Sequence, residues 1–308
     1  MQIKVLAAGL LFLVFFCQSA HAQRQAKARV VPNTSRTLTI LTEPNAIVWL
    51  DEVRRGTTDT AGKLRLVKFS SGSHHLRVRA SGFHETNVVL TPAQPGEVKV
   101  RLVRTTDEAE LTFQLAENAR EQAKDEDSRQ KAVELYRRAL QIRPAFPAAH
   151  LGLARVLMDL NDPDGALAEI EVARRYRPIY PEASAAEGRI YREAAQTDEA
   201  IGSFNRAIRE GRGFQPEAHV GLGRVYEDKG QHDLAAREYQ IAINQLSDSE
   251  PIIYQLLGAA YEKLQSYKEA LKAYEKYLEL APNGSLAPAV RSIIDQIRSE
   301  AEGRRAVP

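Results

Sequence analysis

Cysteine is nearly absent from this chain: Cys17 is the only one among 308 residues, beside one tryptophan and two methionines. With no thiol beyond residue 17, a disulfide scaffold or a thiolate zinc site is excluded from the rest of the chain. Long apolar runs are missing after the first 22 residues, so no later stretch approaches the roughly 20 residues of a membrane-crossing helix. Net charge is small at +2, and no nucleic-acid partner is expected. Catalytic signatures are missing as well: there is no glycine-rich phosphate loop, serine elbow or His-Glu-x-x-His motif. No catalytic residue, metal or cofactor is expected, and the chain does not read as an enzyme. What remains is ordinary for a folded protein, with 44% hydrophobic and 27% charged residues.

Residues 1–22 have the form of an export signal. Lys4 precedes an unbroken run of apolar residues and glycine from Val5 to Cys17, and Ala20 and Ala22 fit the A-x-A cleavage rule. The run spans only about 20 Å as a helix, short of a roughly 30 Å hydrocarbon core. The mature chain is expected to start at Gln23 and to be periplasmic or secreted, with an uncleaved anchor as the rival reading. Residues 23–36 are polar and basic (Arg24, Lys27, Arg29, Arg36) and read as a flexible arm.

From 37 to 104 the apolar period is two. Ala46, Val48 and Leu50 share a face; Leu76, Val78 and Ala80 alternate with Arg77 and Arg79; Val98, Val100 and Leu102 alternate with Lys99 and Arg101. Such alternation predicts strands with one buried and one wet face, and glycine- and serine-rich turns separate them into a small sandwich. At Glu43-Pro44-Asn45-Ala46-Ile47-Val48, Arg55-Gly56-Thr57-Thr58, Gly72 to Val78 and Gly82-Phe83, the segment resembles the PEGA domain of bacterial envelope proteins. Glu52-Val53 departs from it, standing where a glycine turn is usual. The resemblance implies a structural or surface-binding module without catalytic residues.

The rest repeats. Alanine recurs at Ala132, Ala166, Ala200, Ala235 and Ala270, at spacings of 34, 34, 35 and 35. Four residues after each stands a large side chain: Tyr136, Ile170, Phe204, Tyr239 and Tyr274. Gly188, Gly223 and Gly258 supply small residues where paired helices approach closely. This pattern resembles the tetratricopeptide repeat, in units beginning at Phe113, Pro147, Pro181, Pro216 and Pro251. A solenoid at about 107–302 follows, closed by a capping helix with Val290, Ile293, Ile294 and Ile297 on one stripe, and 303–308 form a disordered tail. The fold class is thus α+β multidomain: an N-terminal β-sandwich, then an all-α solenoid.

Charge is segregated. Residues 23–104 hold 14 Lys and Arg against 6 Asp and Glu, and 105–308 hold 27 against 34. Such segregation suggests that the two parts face different partners or each other, and the rival reading is that solvated faces have drifted apart in charge.

Three constellations are candidate sites. The ninth position of each unit faces the groove in the family it resembles, and here holds Arg155, Arg189 and Arg224, with Arg192 one turn beyond Arg189. One reading is a guanidinium ladder for carboxylates along a bound peptide. The other is local pairing, because Asp159, Glu193 and Asp228 follow at i+4. The fifth position (Glu117, Leu151, Ala185, Val220, Gln255) does not reproduce the carboxylate clamp of chaperone-binding members. If their strands pair, Arg77, Arg79, Lys99 and Arg101 make one basic β face. Trp49 is out of register with its neighbours, and either stacks on sugars or packs on another layer. His150 and His219 hold the fourth position of a unit and read as packing residues. The expectation is a non-enzymatic envelope scaffold that binds a protein or peptide segment in the solenoid groove. The alternative is a cell-wall or polysaccharide binder anchored by its basic β domain, with the array as spacer.

Overall fold

The computed structural model describes residues 36–51, 53–69, 74–93, 96–246 and 250–305. The expected signal at 1–22 and the arm up to residue 35 lie outside them, as do 306–308.

Among the described residues seven strands form two sheets. The first sheet has the order β4 (Lys63–Phe69), β1 (Arg36–Leu41), β7 (Glu97–Lys99), and the second β3 (Val53–Thr57), β2 (Ile47–Leu50), β5 (His74–Arg79), β6 (Thr86–Leu90). All neighbours are antiparallel except β1 and β7. Because side chains alternate across a strand, one parity of each points into a shared core of Leu38, Ile40, Val48, Leu76, Val78 and Val98, all at most 5% exposed. Thr58 ties the turn before β2 to the end of β3: its hydroxyl accepts from Ala46 N at 2.8 Å and donates to the Glu43 carbonyl at 2.7 Å.

Eleven helices follow among the described residues. They pair as α1 (Glu108–Gln122) with α2 (Glu126–Ile142), α3 (Pro147–Asp159) with α4 (Pro163–Tyr176), and α5 (Pro181–Glu193) with α6 (Thr197–Glu210). Then come α7 (Pro216–Asp228) with α8 (His232–Leu246), α9 (Ile252–Lys263) with α10 (Tyr267–Leu280), and α11 (Ala287–Arg305). Proline opens α3, α4, α5 and α7, where its missing N–H costs nothing. Asp107 caps α1 by accepting from Glu110 N at 3.2 Å, so that helix begins before the expected Phe113. The capping helix α11 runs on to Arg305, past the expected limit of 302, with Val290, Ile294 and Ile297 buried.

The five repeating alanines are all 0% exposed, and the ring or branched side chain four residues on is at most 2% exposed. Glycine at the facing position is a requirement of distance. A Cβ at Gly223 would lie 2.4 Å from Tyr239 Cε1, and one at Gly258 would lie 2.6 Å from Tyr274 Cε1. Alanine and glycine thus let each helix pair close around one large side chain.

Candidate functional site

The outward face of the second sheet turns toward the helical array rather than toward water. Arg79 is only 6% exposed. Its Nη2 lies 3.4 Å from Glu117 Oε2 and 4.0 Å from Glu121 Oε1 on α1. Arg54 reaches Glu121 Oε2 at 2.9 Å. Gln114 stitches the same helix to the β domain, accepting from Gly82 N at 3.0 Å and donating to the Phe83 carbonyl at 2.8 Å. At the other end, Arg55 donates to the Leu246 carbonyl of α8 at 3.4 Å, and Val53 packs against the cluster holding Ile243, Leu246 and Ile253. The β domain therefore bridges the array from α1 to the α8–α9 junction.

Between bridge and array lies a cavity of about 710 Å³. Its floor comes from the first helix of successive units. The second position contributes Ala148, Glu182, Glu217 and Ile252, the fifth Leu151 and Val220, and the ninth Arg155. Trp49, Arg77 and Arg79 supply the roof. A neighbouring cavity of about 680 Å³ shares Asp51, Glu182 and Gln215 with it.

Most charges in this wall are matched within the protein. Arg77 meets Glu85 at 3.1 Å, and His74 Nδ1 meets Asp51 at 2.5 Å. Glu117 is held by Arg79, by Arg120 at 3.3 Å and by the Tyr136 hydroxyl. Burial alone would push the Glu117 carboxyl up, but Arg120, Arg79 and Tyr136 outweigh it and hold it below its ordinary value. At the other end, burial pushes Glu250 up and Arg55 down, each opposed by the other's charge.

Models of the tetratricopeptide repeat match residues 123–190, 185–251 and 251–283. The chain belongs to the tetratricopeptide repeat family. Its array is similar to that of PilF of Pseudomonas aeruginosa, with a TM-score of 0.54 and 16% identity over 63% of this chain and 86% of that one. It is also similar to TTC0263, a TPR protein of Thermus thermophilus, with a TM-score of 0.50 and 22% identity over 61% and 98% of the two chains. At such identities the likeness concerns the fold alone. No curated protein matches the chain. The family matches lie wholly in the helices, so the PEGA resemblance of the β domain rests on its sequence. Among the described residues no helix is long and apolar enough to cross a membrane, and no cluster of three or more His, Cys, Asp or Glu is placed to hold a metal.

The tetratricopeptide array separates the four arginines singled out in the sequence. Arg155 alone of them lines the cavity. Arg189 pairs with Glu193 on its own helix at 3.9 Å, and Arg192 reaches Asp228 on the next unit at 3.5 Å. Arg224 is exposed. Among the described residues neither Arg155 nor Arg224 makes a direct ion pair, so the expected i,i+4 pairing forms only at Arg189.

The single basic β face does not form. Arg77 and Arg79 are on β5 in the second sheet, whereas Lys99 ends β7 and Arg101 follows it in the first. The condition that the two strands pair fails because β7 adds to β1 instead. Trp49 is 8% exposed, with the Arg77 guanidinium 4.1 Å and that of Arg79 5.0 Å from its ring centroid. Cations cover the ring, so of its two readings the packing one fits and the sugar platform does not. His150 and His219 are structural in the same way as each other: each Nδ1 meets a carboxylate nineteen residues on, Glu169 at 2.6 Å and Glu238 at 2.7 Å.

Glu182 and Tyr180 of the cavity wall were not singled out in the sequence. The signal that could have found Glu182 is the second position of each unit, which faces the cavity in four consecutive units.

Proposed function

We propose that the protein is an exported, non-catalytic scaffold of the cell envelope whose concave array, roofed by the β domain, receives an extended stretch of peptide or protein. The observation that carries this reading is the roofed cavity itself. Walls from several units that mix apolar side chains with many charged ones make a concave site of ordinary ligand size. A cavity of about 710 Å³ takes a short stretch of peptide and is far too small for a folded domain. Export is supported by the Lys4, apolar-run and Ala20-x-Ala22 pattern. The alternative, a polysaccharide anchor, has less support because Lys99 and Arg101 are parted from Arg77 and Arg79, and the latter two are engaged by Glu85 and Glu117.

A photo-crosslinking amino acid at Leu151 or Val220 tests the reading in envelope extract. Peptide or protein cross-linked from these two positions, and not from Lys99, is the expected result. Cross-links to polysaccharide from Lys99 alone would overturn it. N-terminal sequencing of the exported form should begin at Gln23.

A further inference from the structure

Among the described residues, Arg155, Arg177, Glu182 and Glu217 of the cavity wall make no direct ion pair, and Arg177 stacks on the Tyr180 ring. Glu182 Oε2 is buried and accepts no hydrogen bond, while Arg155, half-buried on α3, makes no direct ion pair among the described residues. They are not paired with each other, although Tyr180 stands between their fields. Burial and Glu182 push the Tyr180 hydroxyl up to about 12, against the pull of Arg155 and Arg177. A carboxylate oxygen buried without a donor is costly, and a half-buried guanidinium without an ion pair keeps its donors free for a ligand. Both needs are met together if one occupant brings the opposite charge to each.

The geometry points to a short zwitterionic peptide as the ligand of this cavity, its ammonium on Glu182 and its terminal carboxylate on Arg155. This rests on the groove reading and makes it more specific: the site recognises two free chain ends, not an internal segment. Size agrees, since about 710 Å³ lies within the range of ligand sites and holds only a few residues. The walls agree as well. Trp49, Phe113, Leu151, Tyr180, Val220 and Ile253 offer apolar surface in the same cavity. A bidentate guanidinium suits a planar carboxylate.

The chain supplies its own reporter, because Trp49 is its only tryptophan and lines the cavity. Full-length protein is titrated with an equimolar tripeptide library bearing free termini, while Trp49 emission is followed. The same library N-acetylated, the same library C-amidated, and a twelve-residue library blocked at both ends serve as comparisons. A saturable response to free tripeptides is expected, weakened about tenfold or more by blocking either end. Arg155→Ala should lose the discrimination against amidation, Arg155→Lys should restore part of it, and Glu182→Gln should lose the discrimination against acetylation. Circular dichroism of each variant should match the parent.

If blocked twelve-residue peptides bind as well as free tripeptides or better, the zwitterion assignment falls and the groove reading stands. If free tripeptides bind but all three variants behave like the parent, the assigned site falls. If no library changes Trp49 emission, both fall.

Discussion

Arg79 of β5 and Glu117 of α1 form an ion pair, Nη2 to Oε2 3.4 Å, between side chains only 7% and 11% exposed. It joins the basic part of the chain to the acidic part. Part of the excess of cations before residue 104 meets anions after it at this junction, where Arg54 and Arg79 pair with Glu121 and Glu117 and Arg55 donates to the Leu246 carbonyl. Of the readings that charge segregation allowed, these contacts fit the one in which the parts face each other.

Removing Arg79 should undock the β domain. Arg79→Met leaves Glu117 buried with only Arg120 and Tyr136, and breaking a buried pair costs about 3–5 kcal/mol. Trp49 emission should shift red as the ring loses its cover, and the unfolding midpoint should fall. Arg54→Ala is the control: that pair is 47% and 23% exposed and should cost no more than about 1 kcal/mol. Unchanged emission and midpoint in Arg79→Met would show that the contact does not hold the roof.

Close approach at the glycines gives a second expectation, with opposite signs at two positions. Gly223→Ala places a methyl 2.4 Å from Tyr239 Cε1, and overpacking of this kind costs about 1–3 kcal/mol. Gly202, on the exposed side of α6, has nothing within 4 Å of the same point. Gly202→Ala should therefore raise stability by about 0.5–1 kcal/mol, the helix preference for alanine. Calorimetry of the two variants should move the midpoint in opposite directions; a rise in both would contradict the packing.

The array was legible because its signal is redundant: five alanines, five large side chains and their glycines fall at one period, and each meets the partner that the spacing implies. The β domain was legible in its inward parity, since Leu76 and Val78 must be buried whatever covers the other face. Its outward parity was not. Alternation cannot say whether Arg77 and Arg79 meet water or another domain, and nothing local tells β7 to pair with β1 rather than β5. Trp49 was the one warning, an apolar ring on the face assigned to solvent. Arg155 was found by its position in the unit, but its separation from Arg189 and Arg224 depends on where the roof sits, which is a property of two domains together.

Stability should depend on pH through His150. Burial disfavours its cation, but the Glu169 carboxylate at 2.6 Å and the Pro144 carbonyl at 2.9 Å outweigh burial and raise its pKa above the ordinary 6.5. A histidine whose folded pKa is raised stabilises fully below its unfolded value, and the benefit is lost as pH rises through the folded value. The stability difference between the protein and His150→Gln should therefore be largest at about pH 6 and shrink above it. A difference that is flat from pH 6 to 8.5 would mean that His150 stays neutral in its site.

Arg155 and Arg224 occupy the same position in their units and should behave differently. Arg155 lines the cavity and makes no direct ion pair among the described residues, so Arg155→Ala should weaken capture of a peptide ligand by about tenfold or more, the worth of one charge-assisted hydrogen bond. Arg224 is exposed and absent from the cavity wall, and Arg189 is engaged by Glu193 at 3.9 Å. Alanine at either should leave affinity within about twofold, and loss of the Arg189 pair should cost no more than about 0.5 kcal/mol of stability. Added salt should weaken binding to the parent more than to Arg155→Ala, because the screened attraction is the one that variant lacks. Equal losses at all three arginines would restore a ladder read along the whole groove, and would require the β domain to leave its place when ligand binds.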